Sequence, residues 1–196
     1  MKRSKITILL AIVLGMTFHS CLDLEPQDQL GGKNMWTSVN DYKQFANTFY
    51  SWTRDFSSVV YDGTHSDKRS DLITYQSYNE FSRGINSIPS SDANYTDNYK
   101  HIRRTNLLLQ NAEAYAKPED IKQYIGEAYF FRAYSYFDLL QLYGDVIITK
   151  KPLDITDPEM KVKRNDRSEV VDLIIDDLNH AVENLPAFKE LTTEEE

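Results

Sequence analysis

Tyr95 and Asn98 stand three residues apart near the start of a predicted helix, a spacing that puts both on one face. An aromatic ring beside an amide is the chemistry of sugar recognition. The ring covers the apolar side of a pyranose and the amide meets its hydroxyls. Asp62, Asp67, Arg69, Tyr75 and Tyr78 add polar and aromatic candidates from a stretch dense in Ser, Asp and Asn. The competing reading of Tyr95 is that it begins the core stripe of its helix. Arg132 and Asp138 lie among aromatics, where a ligand role competes with an Arg whose stem is buried and whose head pairs with a neighbouring helix. Asn106, on an otherwise apolar face, reads as a hydrogen-bonding core residue.

Sequence signatures of catalysis are missing: there is no G-x-S-x-G, H-E-x-x-H, P-loop or dinucleotide fingerprint. His65, His101 and His180 are too far apart for a local metal motif. No catalytic residue, metal or cofactor is therefore assigned. Thirty Asp and Glu keep a glycosidase carboxylate pair open on residue types alone, though no spacing favours one.

Cys21 is the only cysteine, so it has no internal disulfide partner. Before it lie a positive start (Lys2, Arg3, Lys5), thirteen uncharged residues from Ile6 to Phe18, and the small Ser20. Thirteen residues are too few for a membrane-spanning helix, which needs about 20, and suit the apolar core of a secretory signal. A lone Cys just after such a signal fits the acylated first residue of a bacterial lipoprotein, although Phe18 and His19 depart from the usual residues there. The alternative is a free cysteine beside an ordinary cleavage site. Acyl chains contribute roughly 0.8 kcal/mol per buried CH₂, so several anchor a protein firmly.

The whole chain carries a net charge of -8. Its first twenty residues hold three cations and no acid, so the remainder sits near about -11. An acidic surface without a Lys/Arg stripe repels phosphate backbones, which argues against nucleic acid as a partner. Thirteen Tyr against two Trp suit stacking on sugars or peptides, or helical cores, and composition does not separate these uses.

The organisation expected is a signal at 1–20, a tether at 21–34, a helical domain over 35–187 and an unstructured tail at 188–196. Ser38 and Asp41 form a capping box for a helix through Val39, Tyr42, Phe45, Ala46 and Phe49. Residues 52 to 92 hold no period. Helical spacing returns with Tyr95, Tyr99, Ile102, Leu109 and Ala112. Pro118, Glu119 and Asp120 open a third helix, with Ile121, Tyr124, Ile125, Ala128, Phe131, Ser135, Leu139 and Leu142 as its apolar stripe and Gly144 as its stop. The short connection predicts an antiparallel hairpin of tetratricopeptide type. Asp145 to Thr149 reads as extended. Asp166 and Glu169 suggest a second capping box for a last helix that ends at Pro186, with an exposed apolar face around Ile174, Ile175 and Leu178.

Residues 126–154, GEAYFFRAYSYFDLLQLYGDVIITKKPLD, resemble the signature helix of the SusD/RagB family of surface lipoproteins. CLDLEP at 21–26 is similar to that family's lipoprotein start, YTDNYKHIRRTNLLL at 95–109 to its preceding helix, and RSEVVDLIIDDLNHAVENLP at 167–186 to its following one. Ile147 stands where the family usually has Pro, and members run to roughly two or three times this length, so the chain resembles an N-terminal portion. The resemblance implies an all-α, tetratricopeptide-like superhelix with long irregular loops. It also implies a non-catalytic, cofactor-free glycan-binding lipoprotein at the outer-membrane surface. Its partner would be a SusC-like TonB-dependent transporter, and Tyr95 and Asn98 would fall where the family places an aromatic and an amide contact. The alternatives are a transporter-associated scaffold without its own ligand site and, further off, a surface glycoside hydrolase.

Overall fold

The computed structural model describes residues 35–54, 84–85, 87–154 and 156–187, and those described from Trp36 on belong to one compact unit. Helix α1 spans Val39–Asn47 and runs into a 3₁₀ turn, Thr48–Trp52. Its capping box forms as predicted: the Asp41 amide donates to Ser38 Oγ and the Ser38 amide to Asp41 Oδ2 at 2.8 Å. Tyr42, Phe45, Ala46 and Phe49 are buried, and the Tyr42 hydroxyl donates to the Asn111 carbonyl, fixing α1 to the far end of the next helix.

That helix, α2, spans Ala93–Glu113, with the Asp92 carboxylate accepting from the Asn94 amide as its cap. Leu108 is fully buried, whereas Leu109, expected on the core stripe, is only half-buried. The Pro118 start is a 3₁₀ turn over Pro118–Ile121, and the α-helix proper, α3, runs Lys122–Tyr143. Gly144 closes α3 at φ +70°, a left-handed conformation that favours glycine, and its amide donates to Leu140.

The last helix, α4, spans Arg167–Asn184. Helix α3 is the middle layer, packed on α2 along one side and on α4 along the other. Both pairs are antiparallel. Tyr143 at the end of α3 reaches Asp92 at the start of α2, while Gly126 near the start of α3 meets Leu185 just past the end of α4. This sandwiching explains why the apolar stripe of α3 is so broad. Ala128, Phe131, Ala133, Tyr136 and Leu139 are all buried, and each large apolar side chain contributes roughly 1.5–3 kcal/mol.

The structure corrects two expectations about α4. Asp166 makes no side-chain cap bond. Instead the Asp145 carboxylate accepts from the Arg167 amide at 3.0 Å, and Glu169 is engaged by the Asn165 side-chain amide at 2.6 Å. Ile174 is buried in the α2–α3–α4 core, so the exposed apolar row is Val171, Ile175, Leu178 and Val182. Between α3 and α4 the described residues make an antiparallel bridge, Val146 to Asn165, and a short 3₁₀ turn over Pro158–Lys161.

Candidate functional site

Beyond the bridge of Val146 to Asn165, the extended stretch after Gly144 has its backbone polar groups bonded by side chains. The Tyr99 hydroxyl donates to the Ile147 carbonyl and accepts from the Ile147 amide, both at 2.9 Å. Two residues on, the Tyr136 hydroxyl does the same for Thr149, donating to its carbonyl and accepting from its amide. Asn106 donates from Nδ2 to the carbonyls of Thr149 and Lys151. Asn165 serves from the other side, with its side-chain carbonyl accepting from the Ile148 amide. Burial pushes both phenols up, so each stays a neutral donor and acceptor.

Asn106 is itself anchored. Its Oδ1 accepts from Arg132 Nη1 at 2.8 Å, and Arg132 forks onto both Asp177 oxygens at 2.8 and 2.6 Å. The Arg132 and Asp177 side chains are 6% and 0% exposed. A polar chain therefore crosses the core from α4 through α3 and α2 to residues 149–151, and each side-chain nitrogen and oxygen of Arg132, Asp177 and Asn106 has a partner within it. Asp138, also on α3, pairs with Arg54.

Held in this way, residues 147–153 face the first turns of α2 across a groove of about 390 Å³. Tyr95, Tyr99 and Thr96 line its helical side, and Ile147, Thr149 and Leu153 the opposite side. The Tyr95 ring lies 4.8 Å from Tyr99 and meets Tyr143 edge-on at 5.1 Å. Tyr143 in turn donates to Asp92 at 2.7 Å, which holds that carboxyl below the usual range. Thr96, Lys100 and Arg103 recur at four- and three-residue spacing on the same face of α2. Arg103 donates to the Leu153 carbonyl and to Asp154, and Lys151 pairs with Glu159 at 2.7 Å. An aromatic ring with a threonine hydroxyl and charged arms around it is a surface that can cover a sugar face and bond its hydroxyls.

Of the residues singled out in the sequence, Tyr95 lines this groove. Asn98 is buried, donates from Nδ2 to the Asn94 carbonyl at 2.8 Å and is not among the lining residues, so the pair is not brought together there. Cys21, Asp67, Arg69, Tyr75 and Tyr78 lie outside the described residues. Sequence reasoning missed Lys100, Arg103, Lys151 and Glu159. The helical face Thr96–Lys100–Arg103 was a usable signal, whereas the opposite side is set by contacts some fifty positions away in sequence. Among the described residues no cluster of His, Cys, Asp and Glu could hold a metal, and no helix is long and apolar enough to cross a membrane.

Comparison with known proteins bears on this arrangement. A family model described as starch-binding and associating with the outer membrane matches residues 22–194. Two SusD-like proteins of Formosa agariphila are 28% and 27% identical to this chain over 94% and 95% of its length, which spans 38% and 39% of theirs. A crystal structure of a SusD-like protein from Bacteroides fragilis superposes with a TM-score of 0.64 at 23% identity, covering 85% of this chain and 33% of that one. That likeness supports the helical fold. With nearly every residue after the first twenty-one matched by the family model, the chain belongs to the SusD-like family.

Proposed function

We propose that this chain captures a glycan at the cell surface and holds it for a SusC-like TonB-dependent transporter, without catalysing a reaction on it. Cys21 is the lipid anchor to the outer membrane in this reading. The observation that carries it is the Tyr95 groove: an aromatic ring beside a hydroxyl and several charged hydrogen-bonding arms, facing a wall that buried polar side chains hold in place. A pyranose ring offers the matching pattern, with C–H groups for the aromatic face and hydroxyls for the arms. The family's description as starch-binding and outer-membrane-associated supports the same ligand class and location. Asn98, Asp67, Arg69, Tyr75 and Tyr78 remain proposed contributors.

The test is affinity electrophoresis of the chain through gels containing polysaccharides, paired with thermal melts. Removing one aromatic platform removes on the order of 1 kcal/mol or more of contact, so Tyr95→Ala should weaken retention by about fivefold or more per folded molecule. Tyr42→Ala should instead lower the melting temperature, because Tyr42 is fully buried. If Tyr95→Ala unfolds the chain and leaves retention per folded molecule unchanged, Tyr95 is a core residue and the site assignment fails. For the anchor, Cys21→Ala should shift the protein from the detergent to the aqueous phase. Palmitate incorporation that persists in this variant would exclude it.

A further inference from the structure

Over the whole chain Lys and Arg number 22 against 30 Asp and Glu, but the lining of the Tyr95 groove reverses that balance. Its charged residues are Lys100, Arg103 and Lys151 against Glu159. Glu159 also borders a second groove of about 540 Å³, whose lining includes the neighbours Lys163 and Arg164 together with Asp166 and Glu169.

The bonding state of these cations divides them into two sets. Lys100, Arg103 and Lys151 already face Asp97, Asp154 and Glu159 at 2.7, 3.3 and 2.7 Å. All three pairs are at least half exposed on one or both sides, and such surface pairs are worth roughly 0–1 kcal/mol, so a ligand anion can exchange into them. Lys163 and Arg164 are exposed and make no hydrogen bond or ion pair among the described residues. Of the acids in the same lining, Glu169 accepts from the Asn165 side-chain amide. A neutral sugar needs no unpaired cation, because hydroxyls bond to groups of either sign. An unpaired guanidinium fork beside an ammonium is matched instead by carboxylate or sulfate oxygens. The acidic remainder of the surface repels such a polymer elsewhere and favours the Tyr95 groove, whose lining is net positive, while in the second groove three acids leave Lys163 and Arg164 as the only cations.

We propose that the glycan is an acidic one, its ring on Tyr95 and its carboxylates or sulfate esters on Lys163 and Arg164; this rests on the glycan-capture reading above. The test is affinity electrophoresis of the whole chain in gels containing polygalacturonate, a sulfated galactan, neutral laminarin or starch, and polyglutamate as an anion without sugar. Retention should be strong on one or both acidic polysaccharides, weak on the neutral ones and on polyglutamate, and should fall steeply with added salt. Lys163→Gln with Arg164→Gln, which removes no side-chain bond among the described residues, should lower retention on the acidic gel by on the order of tenfold. Retention on laminarin or starch that equals or exceeds the acidic gels, and depends on Tyr95, would overturn the acidic-ligand proposal and leave glycan capture standing. Equal retention on polyglutamate would reduce the grooves to a charge patch and overturn it as well. A cooperatively melting chain retained by none of the gels would overturn both readings.

Discussion

Arg132 illustrates what a single residue does in this molecule. Its guanidinium is buried, and its bonds go to Asp177 on α4 and Asn106 on α2, which in turn holds the carbonyls of Thr149 and Lys151. Taking a charge out of water costs several kcal/mol, which only close and complete pairing offsets. Arg132→Met should therefore destabilise the fold by about 3–5 kcal/mol, since it strands Asp177, and Arg132→Met with Asp177→Leu should recover most of the loss. Urea unfolding of the two variants checks this, and a single variant as stable as the parent would refute it. The pairing of Arg132 with a neighbouring helix was legible in the sequence, as was the core role of Asn106. The partner was not, because Asp177 sits in an Asp-Asp doublet and only the register of α3 against α4 decides which acid turns inward. Asp177 does lie three residues after Ile174 and four before Ala181, both buried, so the helical phase held the answer once Ile174 was placed inside.

At the scale of elements, local signals carried further than tertiary ones. Ser38 with Asp41 and Gly144 marked helix ends because caps and stops are built from neighbours in sequence. The start of α4 was misread for the complementary reason: its capping carboxylate comes from Asp145, which no local pattern places there. Ile174 and Ile175 differ by one step of the helix, about 100°, and only the position of α3 tells which of them is covered. Gly126 shows how close α3 and α4 come. A Cβ added there would lie 2.9 Å from Leu185 Cγ and 3.0 Å from its backbone nitrogen. Alanine in a helix interior normally gains about 1 kcal/mol over glycine. Gly126→Ala should nonetheless destabilise the chain, by roughly 1–3 kcal/mol, because the Leu185 backbone as well as its side chain stands in the way and the two segments must part. A raised melting temperature in that variant would contradict the close α3–α4 contact.

For the molecule as a whole, the helical architecture was readable and the groove only half so. Tyr95 could be singled out because an aromatic at the head of a helix is visible in sequence. The facing wall could not, since residues 147–153 owe their position to hydrogen bonds from Tyr99, Tyr136 and Asn106 rather than to any regular element of their own. The same chain leaves an apolar row, Val171, Ile175, Leu178 and Val182, exposed on its outer helix, while its polar core is spent on steadying that wall. The central claim is that this steadied groove is where a sugar sits. The most direct measurement is a titration of the chain, labelled on its tyrosine rings with carbon-13, with an oligosaccharide cut from whichever polysaccharide retains it. Resonances of Tyr95 and Tyr99 should shift in proportion to binding, identified by their loss in Tyr95→Phe and Tyr99→Phe, while those of the buried Tyr42 and Tyr136 stay in place. Saturable binding that leaves the Tyr95 and Tyr99 rings unshifted would put the ligand elsewhere and contradict the account.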